Sequence, residues 1–343
     1  MQCVLGVDGG NSKTIALVAA LDGTILGAGR GGCGDIYNAE PGMDWPDSAA
    51  AAIANIEFAV LSALQAARVQ ESDIVAAVFN MAGADWPEDF AYIQAAVEAR
   101  GFGRTIIVQN DALGVLHAGS SDATGVSVVC GTGAATGARA PDGRTWHSST
   151  WQNQVQGGAQ LGYKMLNAVY RAELGIEAPT TLKPRVLDFY GLNTVEEVLH
   201  LFTGRVTQPP DHVDQLAPLL LDEAQAGDHL AIRIVQEHGR ALGDYAVAAA
   251  RRVGIEGTPF TLVLAGGVFR HPSALLPDAI IERVQATSPA VRPTFCRFEP
   301  IIGVLFAALE AAKVAVDDAL LENLVPTIPG PTLFSTILDH SHM

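Results

Sequence analysis

The feature that most constrains the fold is a polar, glycine-bearing turn between two apolar segments near the start of the chain. Residues 3–7 are an apolar run typical of a buried strand, and residues 15–20 form a second one. The segment between them reads Asp8-Gly9-Gly10-Asn11-Ser12-Lys13-Thr14. Two glycines at such a point can take φ > 0 and leave the backbone bare. The pattern predicts either a phosphate-binding loop or an ordinary hairpin, because Asp-Gly turns are common in hairpins.

The polar groups of this turn match the chemistry of a phosphate site. Backbone N–H groups, two hydroxyls and an ammonium group converge there on one small volume, which suits a phosphate. The candidate phosphate contacts are Gly9, Gly10, Asn11, Ser12, Lys13 and Thr14. Asp8 lies at the end of the strand, where its carboxylate can hold a Mg²⁺ ion bound to those phosphates. The turn is not a Walker A loop, because no Gly-Lys-Ser/Thr follows a four-residue spacer.

The order of predicted elements occurs twice along the chain. The first half reads βββαβαβ, with a three-stranded meander at its head and its last strand at 104–109. The second half starts with a strand at 126–130, the bare turn Gly131-Thr132-Gly133 and two more strands. A mostly helical insertion at about 161–253, a strand ending in Gly266-Gly267, and a helix, a strand and a helix complete it. This order predicts an α/β fold with lobes at 1–115 and 116–320, and a loosely attached tail at 321–343.

A glycine turn at the head of each half bears on the choice between phosphate loop and hairpin. Two stacked lobes of this kind leave a cleft, and each lobe aims one glycine turn into it. A triphosphate would then be bound from both sides. The duplication therefore favours the phosphate interpretation of residues 8–14.

Charge and cysteine content narrow the possible partners. The formal net charge is −16, which argues against a nucleic acid or an anionic membrane as partner. The four cysteines are scattered without a CxxC pair, so a metal or disulfide role is not expected. No signal peptide and no apolar run of membrane-spanning length is predicted. A cytoplasmic protein that acts on a small molecule is the expectation.

Four segments resemble the motifs of the actin/sugar-kinase/heat-shock-ATPase superfamily. Residues 6–14 resemble its first phosphate motif, and Cys130-Gly131-Thr132-Gly133 the second. Leu264-Ala265-Gly266-Gly267-Val268 is similar to its adenosine motif, and Asn110-Asp111-Ala112 to the segment with the catalytic Asp. The surrounding sequence, over about residues 3–310, resembles the N-acetylglucosamine kinase and BadF-type ATPase family.

The resemblance implies a two-lobed actin-like ATPase fold, related to ribonuclease H, and the cofactors ATP and Mg²⁺. Asp8 would position the metal, Asp111 would accept the proton of the attacking hydroxyl, and the glycine turns would bind ATP. Taken alone, Asp111 is better interpreted as the N-cap of the helix that follows the strand, whereas the order of the four motifs favours the role of base. The implied activity is phosphorylation of a sugar or amino-sugar hydroxyl, and the implied assembly is a homodimer through the second lobe.

The implied acceptor pocket departs from the family pattern. Asn38 lies where related sugar kinases place a sugar-binding Asn, although it can also be an ordinary polar loop residue, and Gly83 would line the same pocket. The related kinases carry a Trp-Gly…Gly-Asp-Glu-Gly-Ser run that holds the sugar. Residues 151–163 keep glycines in this region, Gly157 and Gly158, but have neutral amides and no carboxylate. An amide both donates and accepts hydrogen bonds, so the acceptor is expected to be held differently from N-acetylglucosamine.

Two other functions share the phosphate motifs. One is a BadF-type ATPase that activates a partner enzyme; such activators carry paired cysteines for an iron–sulfur cluster, which the scattered cysteines here do not match. The other is a nucleotide-binding regulator without turnover. The sequence favours the kinase over both.

Overall fold

The computed structural model describes residues 1–40, 42–120, 122–204, 210, 212–296 and 298–334. Packing divides the chain into two compact units. Unit 1 is Met1–Ala123 together with Cys296–Met343, and unit 2 is Thr124–Phe295.

The strands and helices follow one another in the predicted order. The strands are β1 (Cys3–Gly9), β2 (Thr14–Ala20), β3 (Ile25–Gly31), β4 (Ile74–Met81), β5 (Thr105–Asn110), β6 (Gly125–Cys130), β7 (Ala134–Arg139), β8 (Thr145–His147), β9 (Thr261–Ala265) and β10 (Arg292–Phe295). The helices are α1 (Trp45–Ala67), α2 (Pro87–Glu98), α3 (Asp111–Gly119), α4 (Gly158–Glu173), α5 (Leu182–Tyr190), α6 (Val195–Thr203), α7 (Leu216–Ala226), α8 (His229–Val253), α9 (Leu275–Gln285), α10 (Pro300–Ala311) and α11 (Asp318–Leu324).

Each unit contains one five-stranded mixed sheet, and the two sheets have the same topology. The strand order is β3-β2-β1-β4-β5 in unit 1 and β8-β7-β6-β9-β10 in unit 2. In each sheet the first three strands along the chain form an antiparallel meander. The fourth strand pairs parallel to the first, and the fifth pairs parallel to the fourth. The predicted duplication of a βββαβαβ core is confirmed, and helices α4 to α8 form the predicted insertion between β8 and β9.

Helix α10 packs in unit 1, although the predicted second lobe extended to residue 320. It contacts β1, β4 and α3, and its Ile302 and Leu305 are fully buried in a cluster that includes Leu17 of β2. Because α10 is apolar on nearly all sides, its sequence pattern does not indicate which sheet it covers. The compact units therefore differ from the predicted lobes at their C-terminal boundary.

The described part of the predicted tail is also attached to unit 1. Leu320 and Leu324 of α11 are buried, and the Thr327 hydroxyl accepts a hydrogen bond from the Ile25 backbone N–H at 3.0 Å. The Arg30 guanidinium donates to the Leu333 carbonyl at 2.9 Å. Residues 321–334 are thus tied to β3 and its flanks rather than loosely attached, and 335–343 lie outside the described residues.

Helix α1 has the length and composition of a membrane span, contrary to the expectation that no such segment exists. Its most apolar 18-residue window has a mean hydropathy of 1.5. In unit 1, however, one face of the helix packs on β2 and β3, with Ile56, Val60 and Ala63 buried. Buried helices of soluble proteins pass the same test, so this composition matches a helix that covers a sheet.

Candidate active site

The first glycine turn joins β1 to β2 and is closed by backbone hydrogen bonds. The Gly10 N–H donates to the Lys13 carbonyl at 2.9 Å, and the Gly34 N–H donates to the Gly10 carbonyl at 2.9 Å. Neither Gly9 nor Gly10 takes the positive φ that its residue type allows. The glycines therefore keep the turn free of side chains, and the turn needs no unusual backbone conformation.

The side chains of this turn are not all presented at its surface. Asn11 and Ser12 are exposed. Thr14 is fully buried, and its hydroxyl donates to the Gly32 carbonyl at 2.9 Å. The Lys13 ammonium donates to the Phe334 carbonyl of the C-terminal segment. Asn11 and Ser12 thus lie at the surface of the turn, whereas the Thr14 side chain is buried at the start of β2, and the phosphate contacts predicted for all three stay predictions.

Asp8 and Asp111 lie at the carboxyl ends of β1 and β5. Asp111 is the first residue of α3, and Asn110 is the N-cap, since its side-chain oxygen accepts a hydrogen bond from the Ala112 N–H at 3.1 Å. The alternative in which Asp111 merely caps the helix is therefore wrong. The Asp111 carboxylate lies at the positive end of the helix dipole, and Asn110 is the residue that caps the helix.

Both carboxyl groups hold protons more tightly than an ordinary Asp. The pKa of Asp8 is raised to about 7, mainly by burial and next by the charge of Asp111, while the Lys13 ammonium opposes the increase. Burial raises the pKa of Asp111 to about 6, with Asp85 and Asp35 adding to the increase and the Ala112 N–H opposing it. A buried carboxylate among other acids attracts cations, and a carboxylate with a pKa near 6 is a suitable general base at neutral pH.

These two pKa values predict how the stability of the ligand-free protein changes with pH. An unfolded Asp titrates near 3.9, so between about pH 4 and 7 the folded state binds protons that the unfolded state has released. The free energy of unfolding should therefore fall as the pH rises through this range, and should change little from these groups below pH 4. The double variant Asp8→Asn/Asp111→Asn should exceed wild type in Tm by about 5 °C at pH 7.5 and show little difference at pH 4. Equal Tm differences at both pH values, measured by calorimetry, would contradict the assignment.

A second group of polar residues connects the loop after β3 to Asp111. Asp35 is 5% exposed, and its carboxylate accepts hydrogen bonds from the Tyr37 N–H at 2.8 Å and the Asn38 side chain at 2.7 Å. Gly83 takes a φ of +78°, and an added methyl group there would lie 2.4 Å from an Asp35 carboxylate oxygen. The predicted residues Asn38 and Gly83 are thus brought together, with Asp35 between them.

Asp35 and Asp85 are the carboxylates that the sequence analysis misses. The Asn110 side chain donates to the Ala84 carbonyl at 3.1 Å and to the Asp85 carboxylate at 3.3 Å. These bonds link the loop after β4 to the residue that precedes Asp111. For Asp35, the available sequence signal was its place at the end of the glycine-rich segment 31–35, whose other residues are all small.

The second glycine turn, Gly131–Gly133, is supported by the start of α4. The Gly158 N–H donates to the Gly131 carbonyl at 2.7 Å, and the Ala159 N–H donates to the Thr132 carbonyl at 3.2 Å. A methyl group added at Gly157 would lie 2.2 Å from the carbonyl oxygens of both Gly131 and Gly133. This close approach accounts for a glycine at 157, so the substrate contact predicted for Gly157 and Gly158 stays a prediction.

Two amides of residues 152–160, Gln156 and Gln160, are hydrogen-bonded within this segment or to β7. The Gln156 side chain donates to the Gln152 carbonyl at 2.6 Å and accepts from the Ala134 N–H at 3.2 Å. The Gln160 side chain donates to the Gln154 carbonyl at 3.0 Å. These amides shape the segment beside the second turn, and these bonds occupy polar atoms that would otherwise be available to a ligand.

The third predicted nucleotide motif follows β9. Gly266 takes a φ of +109°, and a methyl group there would lie 2.4 Å from the Cys130 carbonyl oxygen, one residue before the second turn. Gly267 is exposed and begins a short 3₁₀ helix, and no atom lies within 4 Å of the position of an added methyl group. Unit 2 thus places the two predicted nucleotide motifs side by side, with bare backbone at both.

The strand order, the flanking helices and the paired glycine turns define an α/β protein with the actin-like ATPase fold of sugar kinases. A candidate N-acetylglucosamine kinase from Chromobacterium violaceum superposes with a TM-score of 0.63 at 23% identity, covering 90% of this chain and 99% of that one. A ROK-family glucokinase from Streptomyces griseus, solved with glucose and AMPPNP, gives 0.54 at 17% identity, covering 91% and 99%.

The chain belongs to the BadF/BadG/BcrA/BcrD ATPase family, whose profile matches residues 5–311. It is 24% identical over 322 residues to an N-acetyl-D-glucosamine kinase from Dictyostelium discoideum, with 91% of this chain and 99% of the relative covered. It is 25% identical over 276 residues to an N-acetylmuramic acid/N-acetylglucosamine kinase from Clostridium acetobutylicum, covering 79% and 87%. The predicted resemblance is thereby confirmed.

Proposed function

We propose that this protein is an ATP-dependent kinase that phosphorylates a hydroxyl group of a sugar or an amino sugar. The observation that carries the proposal is the placement of Asp111. Its carboxylate follows a parallel strand of an actin-like sheet, and its pKa is raised to about 6 by burial and by the nearby charges of the loop residues Asp85 and Asp35. The N-acetylglucosamine kinases among its relatives, which align over nearly the whole chain, support the same reaction class.

In the proposed reaction, the oxygen of the acceptor hydroxyl attacks the γ-phosphorus of ATP, and ADP is the leaving group. Asp111 accepts the proton of that hydroxyl. Phosphoryl transfer needs positioning and charge neutralisation more than covalent participation by the protein. The raised pKa makes Asp111 a stronger base than an exposed Asp, yet leaves it mostly ionised above pH 7. The buried surroundings also favour exclusion of water, which limits hydrolysis of ATP without an acceptor.

The residues present fit a Mg²⁺ ion carried by the nucleotide. Among the described residues, no group of three or more His, Cys, Asp or Glu side chains can hold a metal ion. Mg²⁺ in kinases is bound by one or two carboxylates together with phosphate oxygens, so a full protein cage is not needed. Asp8, whose ionised form is disfavoured by burial and by Asp111, would bind the ion directly or through water. The ion would supply neutralisation of the phosphate charges.

For the nucleotide, we propose that exposed turn atoms make the phosphate contacts. In unit 1, Asn11 and Ser12 offer side-chain donors, and the Lys13 ammonium, which donates to the Phe334 carbonyl, has more than one hydrogen to donate. In unit 2, taken by itself, Thr132 and Gly133 are exposed in the second turn, and Gly267 offers bare backbone.

For the acceptor, we propose that the loop after β3 replaces the carboxylates missing from residues 151–163. Asp35 and Asn38 are hydrogen-bonded to each other, and Asp35 and Asp85 act electrostatically on Asp111. Carboxylates bind sugar hydroxyls firmly and also attract a protonated amine. The acceptor pocket would therefore be built around these acids of unit 1.

Asp35→Ala should raise KM for the acceptor by about 10–100-fold, because a buried carboxylate that accepts from two hydroxyls or an amine contributes about 1.4–3 kcal/mol. KM for ATP should stay within about twofold of wild type. Steady-state kinetics with each substrate varied in turn measure both values. A KM for ATP that rises as much as that for the acceptor would instead indicate a general disruption of unit 1.

The proposed function is tested by ADP release with Mg-ATP across a panel of sugars, amino sugars, N-acetylated amino sugars and polyols. At least one acceptor should stimulate ADP release well above the rate with water alone. A basal rate that no acceptor changes would overturn the kinase assignment and favour an ATPase or a regulator. The predicted homodimer and the cytoplasmic location stay proposals; sedimentation measurements on the purified protein test the first.

A further inference from the structure

One fully buried amide beside the proposed metal ligand has no hydrogen-bond partner. Asn80, on β4, is 0% exposed, and both its side-chain nitrogen and its side-chain oxygen lack a partner among the described residues. The two preceding positions on the same face of the strand, Ala76 and Val78, belong to the apolar cluster under α10. An amide buried without partners costs about 1–3 kcal/mol for each unmade bond. Packing of the apolar core does not explain why an amide stands at this position, so another role for it has to be sought.

Strand register places Asn80 next to Asp8. The two residues are direct partners in the parallel pairing of β1 with β4, so their side chains leave the sheet on the same face. That face is covered by α3, where a methyl group added at Gly114 would lie 1.3 Å from the Asn80 side-chain nitrogen. Gly114 is one turn from Asp111 along the helix. The amide is therefore enclosed between the strand that carries Asp8 and the helix that Asp111 begins.

The spacing suits a bridging water. No direct hydrogen bond joins Asn80 to Asp8, because both polar atoms of the Asn80 side chain lack a partner among the described residues. One water can bridge two polar groups on neighbouring strands, which lie about 4.8 Å apart. The side chain of Asn can both donate a hydrogen bond to a water molecule and accept one from it. Because Asn80 is fully enclosed, it cannot touch a nucleotide or an acceptor itself.

We propose that Asn80 is a positioning residue that holds Asp8, through an ordered water, in the orientation needed to bind the cation of the nucleotide. The inference rests on the proposed function, since it assigns Asn80 to the metal-binding carboxylate. Groups that orient a ligating carboxylate typically change metal affinity by 10–100-fold when removed. An apolar residue of the same shape would remove the cost of burying the amide together with its water-mediated bond, and should therefore leave the protein at least as stable.

The test uses Asn80→Leu, which keeps the shape, and Asn80→Ala, which removes the branch without adding bulk near Gly114. Gln109→Leu is the matched control: Gln109 is the register partner of Asn80 on β5, and its buried side-chain nitrogen is also unpartnered. It lies one strand farther from Asp8. Binding of Mn²⁺ in the presence of ADP is measured by electron paramagnetic resonance, and Tm of the ligand-free proteins by calorimetry.

Both Asn80 variants should bind Mn²⁺ at least about 10-fold more weakly than wild type, with the Tm of Asn80→Leu equal to or above that of wild type. Gln109→Leu should bind Mn²⁺ within about twofold of wild type. Wild-type Mn²⁺ affinity in the Asn80 variants would overturn the inference and leave the proposed function intact, and so would a large loss of Tm in both. If wild-type protein with ADP binds no Mn²⁺, the proposed function itself is overturned.

Discussion

Asp111→Asn is expected to lower kcat for sugar phosphorylation by about 10²–10⁴-fold, the usual contribution of a general base. The amide has the shape of the carboxylate but cannot accept the hydroxyl proton. ATP affinity should change by less than about threefold, because Asp111 is assigned to the acceptor and not to the nucleotide. Steady-state kinetics give kcat, and calorimetric titration with a non-hydrolysable ATP analogue gives the affinity.

Asp318→Asn is a matched control for this substitution. Asp318, like Asp111, is the first residue of a helix and follows a capping side chain, Asp317, but it is exposed and outside the proposed site. It should leave kcat within about twofold of wild type. Full turnover by Asp111→Asn on the true acceptor would show that the base has been assigned to the wrong residue.

Asp8→Asn is expected to lower kcat/KM by about 10²–10³-fold, equivalent to about 3–4 kcal/mol of lost transition-state stabilisation. The Mg²⁺ concentration needed for half-maximal activity should rise, since the substitution removes the charge that binds the ion. The ligand-free variant should nevertheless have a higher Tm than wild type at pH 7.5, because burial and Asp111 both disfavour the ionised carboxylate.

The combination of lower activity and higher stability distinguishes a functional carboxylate from a structural one. A structural Asp would lose stability when its charge is removed, because its hydrogen bonds favour the ionised form. A Tm that falls together with kcat/KM in Asp8→Asn would therefore contradict the assignment. Calorimetry and kinetics on the same preparation separate the two results.

The sequence predicted the architecture because the informative signals are local. Apolar strands that end in glycine turns, once in each half, determine a duplicated mixed sheet, and the structure confirms it. The placement of α10 could not be predicted, because a helix that is apolar on nearly all sides has no face that indicates its partner. For the same reason the boundary between the compact units lies elsewhere than predicted.

Site residues at strand ends could be predicted from the sequence. Residues whose role depends on whether their side chain is buried were harder to predict. Asp8 and Asp111 lie at strand ends, which the apolar pattern marks clearly. Thr14 has the residue type of a phosphate ligand, but strand pairing buries its side chain. Asn80 lies at the end of an apolar strand, and only the pairing of that strand with β1 shows that it adjoins Asp8.

Asp35 is a loop residue whose surroundings are formed by residues that are distant in the sequence. Asn38 was predicted from its place after the third strand, whereas the buried acid of that loop is Asp35. Gly83, which packs against its carboxylate, lies about fifty residues farther along the chain, and Asp111, whose pKa it raises, lies farther still. Single-sequence patterns contain no information on such contacts, since loop conformation depends on what packs against it.

The central claim is that a phosphoryl group passes from ATP to a sugar hydroxyl with Asp111 as the base. The most direct measurement is phosphorus NMR of a reaction with Mg-ATP and the acceptor that most stimulates ADP release, for wild type and Asp111→Asn side by side. The account predicts a sugar-phosphate resonance that grows in proportion to ADP with wild type and is nearly absent with the variant. Release of inorganic phosphate in proportion to ADP, without any phosphorylated sugar, would contradict it.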